Sequence, residues 1–107
     1  RKETDVLSKG FELFVGAGNN VYCRESDNNI LIESAKLTTA LSKSNNFNEE
    51  QFREALRQAP FYITKKQSWI KIKDSLDFEN GCNKLCIVLD GNHPSIPEII
   101  LSEKIMF

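Results

Sequence analysis

Histidine, tryptophan and methionine each occur once in this chain, and proline three times. With His93 the only imidazole, a hydroxyl or thiol nucleophile has one possible base of that kind. That histidine precedes Pro94 in a turn-rich run, so a surface-loop role is the expectation and nucleophilic catalysis is not. No apolar run approaches the ~20 residues that cross a bilayer, so no membrane association is expected. No Asn-x-Ser/Thr acceptor occurs, and the cysteines number three (Cys23, Cys82 and Cys86). Both facts fit a reducing intracellular compartment, cytoplasm or nucleus, with the thiols behaving as small hydrophobes. Charge of one sign is also lacking. Formal net charge is −1 and the pI about 5.9, so the whole chain exerts no bulk pull on nucleic acid.

The rest of the composition is that of one ordinary globular domain spanning 1–107, with 40% hydrophobic and 27% charged residues. The first residue is Arg1, not Met, and the chain reads as a domain excised from a larger protein.

A metal site is the first chemistry to weigh, from Cys82, Cys86 and His93 with Cys23 as a fourth ligand. The C-x3-C spacing is not that of a zinc knuckle. Along a strand at ~3.3 Å per residue, four residues separate the two thiols by ~13 Å, too far for one tetrahedral ion. Core or loop thiols are expected, with no metal and no cofactor. The carboxylates Asp74, Asp77 and Glu79 read as a solvated loop, not as an acid–base pair. Gly16-Ala17-Gly18-Asn19-Asn20 is too short for a dinucleotide fingerprint and follows no strand, so it reads as a helix stop.

The most informative stretch is Asn45 to Lys73. Asn48 has the side chain of an N-cap and Gln51 stands where a capping box wants Glu or Gln. Phe47 and Phe52 have the spacing of a hydrophobic staple, and Glu49 and Glu50 suit the positive end of the helix dipole. Phe52, Ala55, Leu56 and Ala59 form one apolar face, and Pro60 forces Ala59 out of helical geometry. Beyond it the period changes to two: Phe61 and Ile63 alternate with Tyr62 and Thr64, and Ile70 and Ile72 with Trp69, Lys71 and Lys73. With Lys65-Lys66-Gln67-Ser68 as the turn, this predicts a hairpin with its isoleucines on the core and Trp69 and the lysines on the other face or rim.

Elsewhere, Thr4 is a candidate cap for a helix with Leu7, Phe11, Phe14 and Val15 inward, which Gly10 weakens. Val21-Tyr22-Cys23 and Ile30-Leu31-Ile32 read as short strands around a turn. Ser34 is a candidate cap for a helix with the seam Leu37, Ala40 and Leu41. Leu85 to Leu89 reads as a strand covered on both faces. Ser95-Ile96-Pro97-Glu98 suggests the start of a last helix with Ile96, Ile99 and Ile100 inward. An edge strand over Glu98 to Phe107 is the alternative. The fold class predicted is α+β and winged-helix-like: three helices, a small antiparallel sheet and a basic wing, extended by a C-terminal strand and helix.

Residues 30–73 resemble the winged-helix modules of LOTUS (OST-HTH) domains and of the N-terminus of the zinc-finger antiviral protein. There too a short strand enters a helix, a second helix follows, and a strand like Phe61-Tyr62-Ile63 precedes the wing. The resemblance implies a non-enzymatic domain of an RNA- or DNA-handling protein.

Two functions follow. Lys65, Lys66, Lys71 and Lys73 fall within nine acid-free residues around Trp69, with Arg57 on the preceding helix. Amines neutralise phosphates and an indole stacks on an exposed base, so this surface suits RNA or DNA bound with little sequence specificity. The helix itself carries Glu49, Glu50 and Glu54 beside Arg53, Arg57 and Gln58, a mixed face ill-suited to reading a major groove. The alternative is a protein-docking module with a partner on the Glu50, Arg53 and Arg57 face and no nucleic-acid contact.

Overall fold

The structure, a computed structural model, describes residues 2–63, 68–71 and 83–107. Helix α1 (Lys2–Gly16) buries Leu7, Phe11 and Phe14 and half-buries Val15. It is already helical at Thr4, so that residue is not its cap. Gly10 has a packing reason: a Cβ there would run into the ring of Phe52. Strands β1 (Val21–Cys23) and β2 (Asn29–Glu33) form an antiparallel hairpin with Tyr22 opposite Leu31. Asn28, at φ 61°, turns the chain in the left-handed region that asparagine tolerates better than most residues.

Helix α2 (Ser34–Ser42) buries the expected seam Leu37, Ala40 and Leu41. Its cap position falls on Glu33, with no side-chain cap bond, and Ser34 is a buried residue of the first turn. Helix α3 (Glu49–Gln58) follows its local signals closely. The Asn48 side chain accepts the Gln51 N–H at 3.0 Å, and the Phe47 and Phe52 rings meet at 5.9 Å. Ala59 ends the helix in extended geometry before Pro60. Replacing Asn48 by Ala leaves that amide without its acceptor and is expected to cost about 1 kcal/mol. A lowered urea midpoint at unchanged m-value is the readout, and an unmoved midpoint would refute the cap.

Strands β3 (Ser68–Lys71) and β4 (Asn83–Asp90), helix α4 (Glu98–Glu103) and strand β5 (Lys104–Met106) are the remaining described elements. Among the described residues the sheet has five strands in the order β3-β4-β2-β1-β5. It is mixed, because β5 pairs parallel with β1 while the other pairs are antiparallel. With α4 the described helices number four, one more than the winged-helix reading supplied before its extension. Pro97 occupies the cap position of α4, not Ser95, whose amide donates instead to His93 Nδ1 at 3.0 Å. Helix and edge strand were competing readings of 98–107; the chain uses both in succession.

The helices cover one face of the sheet. Phe11, Phe14, Leu37, Leu41, Phe52 and Leu56 pack with Ile30, Ile32, Ile87 and Leu89 in one core that also takes Ile96 and Ile100. The opposite face holds a smaller cluster of Tyr22, Leu31, Cys86 and Val88, against which Phe107 packs. Strand β4 is thus buried on both faces, as its unbroken apolar run suggests.

The hairpin is where the structure corrects the sequence reading. Tyr62 bridges to Leu89 of β4, flanked by Ile63 N–H to the Val88 carbonyl at 3.0 Å and Asp90 N–H to the Phe61 carbonyl at 2.7 Å. Strand β3 pairs with the other half of the same strand, Ser68 opposite Cys86 and Lys71 opposite Asn83. Segments 61–63 and 68–71 therefore lie one after the other along a single edge of β4 and do not pair with each other. The antiparallel partner of β3 is β4; of the expected turn, Lys65, Lys66 and Gln67 lie outside the described residues.

Candidate nucleic-acid interface

Of the residues expected to touch nucleic acid, Lys65, Lys66 and Lys73 lie outside the described residues. Trp69 and Lys71 are in β3, opposite Leu85 and Asn83. Segments 61–63 and 68–71, on this edge of β4, belong to an acid-free run. From Ala55 to Lys73, between Glu54 and Asp74, nineteen residues carry five cations and no carboxylate. Ile63, at the start of this edge, is 46% exposed, one of two large hydrophobic side chains among the described residues that stand out to solvent.

Arg57 occupies the last turn of α3, just before the chain enters that edge. Its guanidinium donates to Glu54 Oε1 at 2.7 Å, and Gln58 Nε2 donates to Glu54 Oε2 at 2.7 Å. The hydrogen bond from Arg57 is the main reason the Glu54 carboxyl is held below its usual range. Side-chain exposures of 53% and 59% leave the pair in high dielectric, where such contacts contribute little and exchange readily for another anion.

Arg53 is placed differently. Its Nη2 donates to Thr38 Oγ1 of α2 at 2.7 Å and to Glu49 Oε2 at 3.1 Å. It straps α3 to α2, while Glu50 beside it is exposed. No local pattern signals this strut, because it joins positions fifteen apart on different helices.

The remaining chemistry is structural. Cys23 and Cys86 are buried, and they belong to clusters on opposite faces of the sheet, so the sheet itself separates them. The Cys23 thiol donates to Asn28 Oδ1 at 3.0 Å, and burial pushes its pKa up. Cys82 lies outside the described residues. His93 accepts the Ser95 amide and sits beside Phe61, ring centroids 6.4 Å apart. Where α3 ends, a cavity of about 310 Å³ is lined by Leu7, Ala59, Pro60, Phe61, Gln58 and Pro97 among others. None of its lining residues is ionisable, so it offers no acid, base or charged nucleophile. Among the described residues no helix is long and apolar enough to cross a membrane. Compared with family models, with curated proteins and with solved structures, the chain matches none.

Proposed function

We propose that this is a non-enzymatic, winged-helix-like accessory domain that binds RNA or DNA along the basic edge of its sheet, with little sequence specificity. The position of β3 at the rim of the sheet carries the reading. The described parts of the acid-free segment, 61–63 and 68–71, line one edge of β4 that no further strand covers among the described residues. Lysines on such a rim can track a phosphate backbone. The succession β2, α2, α3, β3, β4, with β4 lying between β2 and β3, supports the winged-helix assignment. Lys71 lies in β3 on this edge, and Lys65, Lys66 and Lys73 lie outside the described residues. Arg57 adds a cation at the head of the edge by exchanging Glu54 for phosphate.

Wild-type protein is expected to bind a fluorescein-labelled single-stranded 20-mer, RNA or DNA, at low salt. Its affinity falls linearly on a log–log salt plot with a slope of about −2 to −4, as two to four neutralised phosphates require. Lys65→Glu, Lys66→Glu and Lys71→Glu together abolish binding while the circular dichroism spectrum is unchanged. Absence of wild-type binding even at low salt would sink the proposal.

One observation favours the second reading, a protein partner on the Glu50, Arg53 and Arg57 face. The pairs Glu49–Arg53 and Glu54–Arg57 make the outside of α3 a self-neutralised surface. Such a surface repels neither sign and suits a protein better than a phosphate backbone.

A further inference from the structure

Helices α1 and α2 leave a groove between them that the nucleic-acid reading does not use. It consists of three adjoining hollows of about 200, 310 and 350 Å³. The first two share Ala17, Ala40 and Lys43, and the last two share Glu12, Leu13 and Ser44, so they form one trough. Its floor is apolar and low: the half-buried Leu13 and Phe47 rest on the main core, and Ala17 and Ala40 add only methyl groups. Small residues at the floor let another backbone approach closely.

The rim carries one sign. Lys9 and Lys43 are exposed and have no ion-pair partner among the described residues. Lys36 has only a loose contact with Glu33 at 3.8 Å. Against these three cations the trough has a single carboxylate, Glu12. Lys36 in α2 and Lys43, the C-cap residue just past its end, are seven residues apart, a separation of ~10.5 Å or two helical turns. That spacing matches acidic residues at i and i+7 of an incoming helix, whose i+3 and i+4 side chains would then fall on the floor.

We propose that the α1–α2 groove docks an acidic amphipathic helix of a partner protein. The charge of the rim selects acidic flanks, and the apolar floor takes aliphatic anchors. A nucleic acid would make no use of the aliphatic Leu13 and would meet Glu12 midway. The proposal is independent of the phosphate-binding edge, since none of Lys9, Lys36 or Lys43 lies on it.

The probe is a fluorescein-labelled 18-residue designed helix with leucines on one face and glutamates flanking them. Its control has every glutamate replaced by lysine. The acidic peptide should bind saturably and roughly tenfold tighter than the basic one, as a few rim ion pairs together allow. Lys9→Glu, Lys36→Glu and Lys43→Glu together should erase that preference, whereas the Lys65, Lys66 and Lys71 variant should bind the peptide normally. In ¹⁵N-labelled protein the amide shifts should centre on Leu13, Ala17, Ala40 and Phe47. Equal binding of the two peptides, shifts centred elsewhere, or the same groove shifts produced by a single-stranded oligonucleotide would each overturn the proposal.

Discussion

Truncating Phe52 to alanine is expected to cost about 3–5 kcal/mol, the largest loss of any single side chain considered. The ring is fully buried at the point where α3 meets α1. It makes an edge contact with Phe11 at 5.3 Å and a tilted contact with Phe47 at 5.9 Å. Removing it leaves a cavity between two aromatic rings and opens the staple that fixes the start of α3. Both effects act in the same direction. For a domain of about 100 residues each kcal/mol lowers the melting temperature by about 4–8 °C, so the shift should exceed ten degrees. A drop of only a degree or two would mean that Phe52 does not sit in the core.

Gly10→Ala is the second large effect, and its sign is the informative part. In an exposed helix interior this change stabilises by about 1 kcal/mol. Here the added methyl would enter the space of the Phe52 ring, which Phe11 and Phe47 hold in place. Overpacking of this kind costs about 1–3 kcal/mol, enough to reverse the propensity gain. Combining Gly10→Ala with Phe52→Leu should recover most of the loss, giving a coupling of about 0.5–3 kcal/mol in a double-mutant cycle. Stabilisation by Gly10→Ala alone would show that the two helices are not in contact at this point.

These two residues also show what a sequence can and cannot disclose. Every signal that sets α3 lies within fourteen consecutive residues, from Phe47 to Pro60, and each acts on its own neighbours. The cap, the staple and the proline were therefore legible, and each takes its expected role. Gly10 looked like a weakness in α1 because its reason, Phe52, is 42 positions away. Thr4, Ser34 and Ser95 have the chemistry of caps, yet none takes a cap position, since burial and the preceding backbone decide where a helix can begin. The edge segments failed differently. Alternation identified Phe61–Thr64 and Trp69–Lys73 as extended, with Ser68 in the turn, but a period of two names no partner, and their described parts both lie along β4. The candidate binding surfaces divide in the same way. The lysine cluster around Trp69 could be read directly, whereas the α1–α2 groove exists only once two helices are packed. The spacing of Lys36, Thr39 and Lys43 along α2 was its one trace in the sequence.

The pairing of β2 with β4 has a consequence in time. Leu31 and Val88 are cross-strand neighbours although 57 positions separate them, while Tyr22 and Leu31 are nine apart. As the chain emerges from the ribosome, the β1–β2 hairpin and α1 to α3 can form from local contacts alone. One flank of β2, bearing Ile30, Leu31 and Ile32, must wait bare until β4 has been made. Closing that long interval sets the slow step of folding. Until then the nascent domain presents an apolar strand with an open row of amides and carbonyls, the surface on which chaperone capture or mispairing with another chain begins.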